Sequence, residues 1–112
     1  MEKETKKTDV KIVLVTAPEG DSTVELAKRL VGAKRAACVN ILPGVRSVYS
    51  WEGEVCDDKE VLLVIKTHSS ELEGLKKEVL EHHPYDVPEF LVLPLDGGHH
   101  PYLDWVRGAV GS

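Results

Sequence analysis

A chain of 112 residues with 14 basic and 19 acidic side chains carries a formal charge of -5, and its 42% hydrophobic content beside 29% charged residues suits one folded domain with an ordinary polar surface. That balance excludes a disordered polymer, and an acidic chain lacks the positive field that drives binding to phosphates, so no nucleic-acid partner is expected. The longest apolar run, Val61–Ile65, falls far short of the ~20 residues of a membrane span, so no membrane insertion is expected either.

Met1 to Asp9 holds six charged residues whose signs cancel and has no apolar anchor. We read residues 1–9 as a flexible N-terminal tail and residues 10–112 as a single domain. A start this polar has no room for a secretory signal, which places the chain in the cytoplasm, with organelle targeting by a segment ahead of this sequence left open. Val10 to Thr16 is β-branched and nearly all apolar, the mark of a strand buried on both faces, and Ala17-Pro18-Glu19-Gly20 ends it. Ser22 with Glu25 three residues on is a capping-box pattern, and Val24, Ala27, Leu30 and Val31 predict the apolar stripe of a helix ending near Gly32.

Ala36 to Leu42 reads as the second strand, stopped by Pro43-Gly44, and Val45 to Trp51 continues extended to a turn at Glu52-Gly53-Glu54. Val61 to Thr67 is the third strand. Short turns over so long a stretch imply hairpin arms that project beyond a compact body. Ser70 and Glu73 repeat the capping-box register, with Leu72, Leu75, Val79 and Leu80 as the stripe and His82-His83-Pro84 as the stop. Phe90 to Leu95 is the fourth strand, Gly97-Gly98 breaks the chain, and Tyr102 to Val110 forms a closing helix with Leu103, Val106 and Val110 on one side. The order βαββαβ plus a C-terminal helix is the α+β, ferredoxin-like split βαβ sandwich, an antiparallel sheet with both main helices on one face. Its long strands leave backbone edges that invite pairing with another chain.

Cys38 and Cys56 lack any CxxC spacing and are expected as buried free thiols. The cations Lys28, Arg29, Lys34 and Arg35 suit the solvated end of a helix. No nucleophile elbow and no phosphate loop occurs, and Asp57-Asp58 reads as a solvated turn, so we expect no enzyme. Glu78 and His82, four apart, share a helical face and can offer two ligands to a metal, whereas consecutive His82 and His83 point about 100° apart unless the helix ends between them. His82 and His83 also suit a helix C-terminus simply as dipole partners. His68 and the pair His99-His100 are further imidazoles, and His99-His100, in a loop after two glycines, is read as structurally neutral.

Five segments, Ala36–Ile41, Ser47–Gly53, Ile65–Thr67, His83–Glu89 and Tyr102–Trp105, together resemble the CutA divalent-cation-tolerance proteins. The resemblance implies a ferredoxin-like subunit, a homotrimer with sheets joined edge to edge, and a part in tolerance of copper and other divalent metal ions. It also implies a metal site at His82 and His83, completed in the family by a cysteine of the first strand. Val15 stands at that position here, which removes the soft ligand. In a trimer, Tyr49, Trp51, Lys66, Tyr85, Glu89 and Trp105 can meet across subunits, with Lys66 and Glu89 paired and the aromatics walling a cleft. The same residues also serve as interface anchors, and both readings stand. The alternatives to a metal-binding trimer are a PII-like trimeric sensor of a small effector and a stable scaffold for protein partners of unknown identity.

Overall fold

The computed structural model describes residues 8–111, so the expected tail lies outside the described residues except for Thr8 and Asp9. Those two are tied into the fold: the Thr8 N–H donates to the Leu95 carbonyl at 3.0 Å, and the Asp9 carbonyl accepts from the Ser69 N–H at 2.8 Å. The elements are β1 (Val10–Ala17), α1 (Asp21–Gly32), β2 (Cys38–Trp51), β3 (Glu54–His68), α2 (Leu72–His82), β4 (Leu91–Pro94) and α3 (His100–Ala109), with a 3-10 turn at Ser69–Glu71 before α2. The strands form one antiparallel sheet in the order β2-β3-β1-β4. This is the expected ferredoxin-like arrangement. Among the described residues no helix is long and apolar enough to cross a membrane.

The hairpin is longer and more continuous than its sequence suggests. β2 runs straight through Pro43-Gly44, because a register shift between Leu42 and Val45 takes up the missing proline N–H and the left-handed Gly44 (φ 77°) as a bulge. β3 begins at Glu54, well before Val61, since Glu52 (φ 50°) and Gly53 (φ 81°) make a two-residue hairpin turn and keep the strands paired to the tip. The molecule is accordingly 51 Å in its longest dimension.

Neither capping box forms. The chain enters α1 at Asp21 after a left-handed Gly20, with no side-chain cap, while Ser70 sits in the 3-10 turn, whose cap is the His68 ring accepting from the Ser70 N–H at 3.1 Å. The buried face of α1 is Thr23, Leu26, Ala27 and Leu30, leaving Val24 and Val31 exposed, and α2 buries Leu75 and Val79 but exposes Leu80. α3 buries Leu103 and Val106 as expected.

Period-two alternation gives the sheet two faces. On one, Val13, Val15, Leu63 and Ile65 are fully buried against Leu26 and Leu30 of α1 and Leu75 and Val79 of α2. The other carries Ile12, Leu14, Leu62, Val64, Leu91 and Leu93 in register, and α3 covers only its end, where Val10 and Ala37 pack on Leu103 and Val106. Cys38 and Cys56 belong to this open face, so they are half-buried free thiols and not the buried ones expected.

Candidate functional site

The two adjacent histidines at the end of α2 have different fates. His82 stays exposed, its Nε2 3.7 Å from Glu78 Oε1 and 3.9 Å from Glu81 Oε1. One ligand atom each from Glu78, Glu81 and His82 lies within 4.8 Å of the others, and Glu78 also accepts from Arg29 Nε at 3.1 Å. His83 turns inward because the helix ends there and its backbone becomes extended (ψ 140°). Its Nε2 lies 2.8 Å from the Thr16 carbonyl, and its Nδ1 accepts from the Tyr85 N–H at 3.1 Å. A carbonyl only accepts and an amide N–H only donates, so these partners require the neutral ring with the proton on Nε2. With both nitrogens engaged, His83 has no lone pair free for a metal, and the structure does not bring the His82–His83 pair onto one ion. The four-apart pair Glu78 and His82 does converge, joined by Glu81, which sequence reasoning missed although its spacing puts it on the same face. Val15, where the resemblance implies a cysteine ligand, is fully buried in the core.

A cavity of about 620 Å³ opens at the hairpin end of the open sheet face. Four of the six expected cleft residues, Tyr49, Trp51, Tyr85 and Glu89, line it, together with Thr16, Asp58, Glu60 and Asp86. Lys66 and Trp105 lie elsewhere. Lys66 is six residues along β3 from Glu60, roughly 20 Å by strand rise, where its ammonium donates to Asn40 Oδ1 and sits 3.9 Å from Cys38 Sγ. Trp105 packs on Tyr102 of α3, ring centres 5.6 Å apart. The expected Lys66–Glu89 ion pair is therefore not made within the chain.

The cavity is acidic and tightly bonded. The Tyr85 hydroxyl donates to Glu60 Oε2 at 2.6 Å and the Tyr49 hydroxyl to Asp58. The bond to Asp58, with desolvation and neighbouring negative charge, pushes the Tyr49 phenol up to about 12. Burial and then the bond to Glu60 raise the Tyr85 phenol well above its usual range. Desolvation, followed by the charge of Glu60, raises the Glu89 carboxyl. None of the ion pairs among the described residues involves Asp58, Glu60, Asp86 or Glu89. Asp57-Asp58 is not a solvated turn: the residues alternate along β3, Asp57 held by Arg46 at 2.9 and 2.8 Å and Asp58 by Tyr49. Glu60 escapes notice because its partner Tyr85 lies on the His83–Phe90 loop, distant in sequence, and Asp58 is misplaced in a turn; their even spacing with Leu62 and Val64 is the available signal.

The family model described as CutA1 divalent ion tolerance protein matches residues 11–109. The chain is 47% identical to the protein named CutA, chloroplastic, of Arabidopsis thaliana over 97% of its own length, and it spans 60% of that longer relative. A solved divalent cation tolerance protein of Thermus thermophilus is 45% identical with a TM-score of 0.88, covering 91% of this chain and 99% of that one. The apo structure titled PII-like protein CutA, from Nostoc, is 40% identical with a TM-score of 0.84, over 90% of this chain and 97% of its own.

Proposed function

The chain belongs to the CutA1 divalent ion tolerance protein family, and from that premise we propose that it works as a homotrimer that binds divalent metal ions, copper among them, and contributes to their tolerance. The observation that carries the metal reading is the convergence of Glu78, Glu81 and His82 at one end of α2. One imidazole and two carboxylates are donors that suit zinc or copper(II). With Val15 in place of a thiolate, copper(I) has no soft donor in this set. The trimer reading is supported by the open sheet face, whose apolar side chains the chain's own helices leave uncovered, and by the edge strands β2 and β4. The number three is taken from the family resemblance. No catalytic step is assigned.

Titration of copper(II) and zinc into the full chain tests the metal site. His82→Ala is expected to weaken binding strongly, while His83→Ala and the double change of His99 and His100 to Ala leave it nearly unchanged. Binding should fade at acid pH, because a ligand must be deprotonated to hold the metal. Equal losses from His82→Ala and from the His99/His100 pair would mean ordinary surface imidazole binding and overturn the site. A second reading, a PII-like effector sensor, is favoured by one observation: the open cavity beside Glu60, about 620 Å³, is far larger than a metal ion needs.

A further inference from the structure

We propose that Arg29 of α1 is a resident competitor of the metal ion at Glu78, Glu81 and His82, and that Glu25, one turn earlier on α1, takes up its guanidinium when an ion displaces it. This rests on the metal reading and names how that site is regulated.

The three donors stand where α2 meets α1, on the helix side of the sheet and away from the open face that further copies of the chain cover. There Glu78 Oε1 is shared: it lies 3.7 Å from His82 Nε2 and accepts from Arg29 Nε at 3.1 Å. The oxygen that faces the imidazole is therefore the one the guanidinium already holds. A divalent ion drawn to Glu78 and His82 meets a positive charge at that same oxygen, and the two repel. Among the described residues, no other lysine or arginine pairs with the three donors. With side-chain exposures of 55% for Arg29 and 20% for Glu78, the pair is open enough to water to give way. A hydrogen bond can also steady a ligating carboxylate from behind and raise affinity. Here the donor is charged and sits on the oxygen turned toward His82, so competition outweighs support.

The displaced guanidinium has a second carboxylate to move to. Glu25 precedes Arg29 by four residues, the spacing and order that favour an ion pair along a helix, and both line the groove that reaches His82. The present partner of Glu25 is Lys28, whose Nζ is 3.7 Å away, and with both side chains 71% exposed that contact holds little. Arg29 thus rests on Glu78 without metal and on Glu25 with it. The fraction of chains with Glu78 released scales the apparent affinity down, so the site fills only when the ion is plentiful.

Calorimetric titration of zinc(II) and copper(II) into the full chain in its native assembly, at about 0.15 M salt to screen the more distant charges, tests the exchange. Arg29→Gln should tighten binding about threefold or more, and Arg29→Lys, which keeps the charge, should stay near the parent. Glu25→Gln should weaken binding about twofold, and that loss should vanish in the double variant Arg29→Gln/Glu25→Gln, where no guanidinium needs a new partner. Both side chains are exposed, so the metal-free variants should melt with the parent. Unchanged or weaker binding by Arg29→Gln, while His82→Ala still abolishes binding in the parent background, overturns the competitor and leaves the metal site standing. A Glu25→Gln loss that persists in the double variant overturns the exchange of partners. A parent that binds neither ion, or binds them without need of His82, removes the metal site and this inference together.

Discussion

The two faces of the sheet are cut from the same strands by the same alternation, yet they end in opposite states. Val13, Val15, Leu63 and Ile65 on one face are all 0% exposed beneath α1 and α2. One residue along, Ile12, Leu14, Leu62 and Val64 are only half-buried, and Leu91 and Leu93 on the edge strand remain 52% and 41% exposed. A strand that is apolar at both parities is built to be covered on both sides. The chain's own helices account for one cover, and α3 reaches only one end of the other. The difference shows where the chain stops covering itself: an acidic cavity lies at one end of the open face, Lys66 with Cys38 and Asn40 at the other, and bare leucines and valines between.

Substitutions that strike one face and spare the other sharpen this contrast. Leu63→Ala, on the covered face, should cost about 2–5 kcal/mol in denaturant unfolding, because the close-packed helices cannot collapse fully into the void. Leu62→Asp, its neighbour on the open face, should leave the helical and strand circular-dichroism signal intact but reduce the assembled mass, since a charge cannot be desolvated in an apolar interface. An unchanged mass would break the comparison. The adjacent histidines provide a smaller pair. His83→Ala strips partners from the Thr16 carbonyl and the Tyr85 N–H and should cost about 1–3 kcal/mol, while exposed His82→Ala should stay within about 0.5 kcal/mol.

The smallest effect is a pH dependence. Glu89 has its folded pKa raised above its ordinary 4.5 by desolvation and by the charge of Glu60. A raised carboxyl means that the folded state binds its proton more tightly than the unfolded state, so this group's contribution falls as pH rises through the window just above 4.5. Glu89→Gln should flatten that part of the stability profile, and an unaltered profile would show that the carboxyl is solvated like any other. Its partial exposure keeps the effect small.

Much of this architecture is legible in the residues. The apolar, β-branched run of β1, the stop at His82-His83-Pro84 and the double glycine before α3 give element order and fold class directly, and the resemblance of five short segments gives the family. What escapes is decided by tertiary geometry. Pro43-Gly44 reads as a stop until the register shift makes it a bulge, and Ser22 and Ser70 look like caps until the backbone enters each helix by another route. The candidate sites are legible by residue and not by grouping. Tyr49, Trp51, Tyr85 and Glu89 do meet, but Lys66 lies at the far end of the same face, and His83 spends both nitrogens on the backbone. Glu60, one residue ahead of the expected third strand, draws no attention until the loop after α2 folds over it.

The central claim is that copies of this chain cover the open face. Light scattering coupled to size exclusion at micromolar concentration tests it most directly: the account predicts a particle of three times the 12.4 kDa chain mass that persists on dilution. A monomer at that concentration would contradict it.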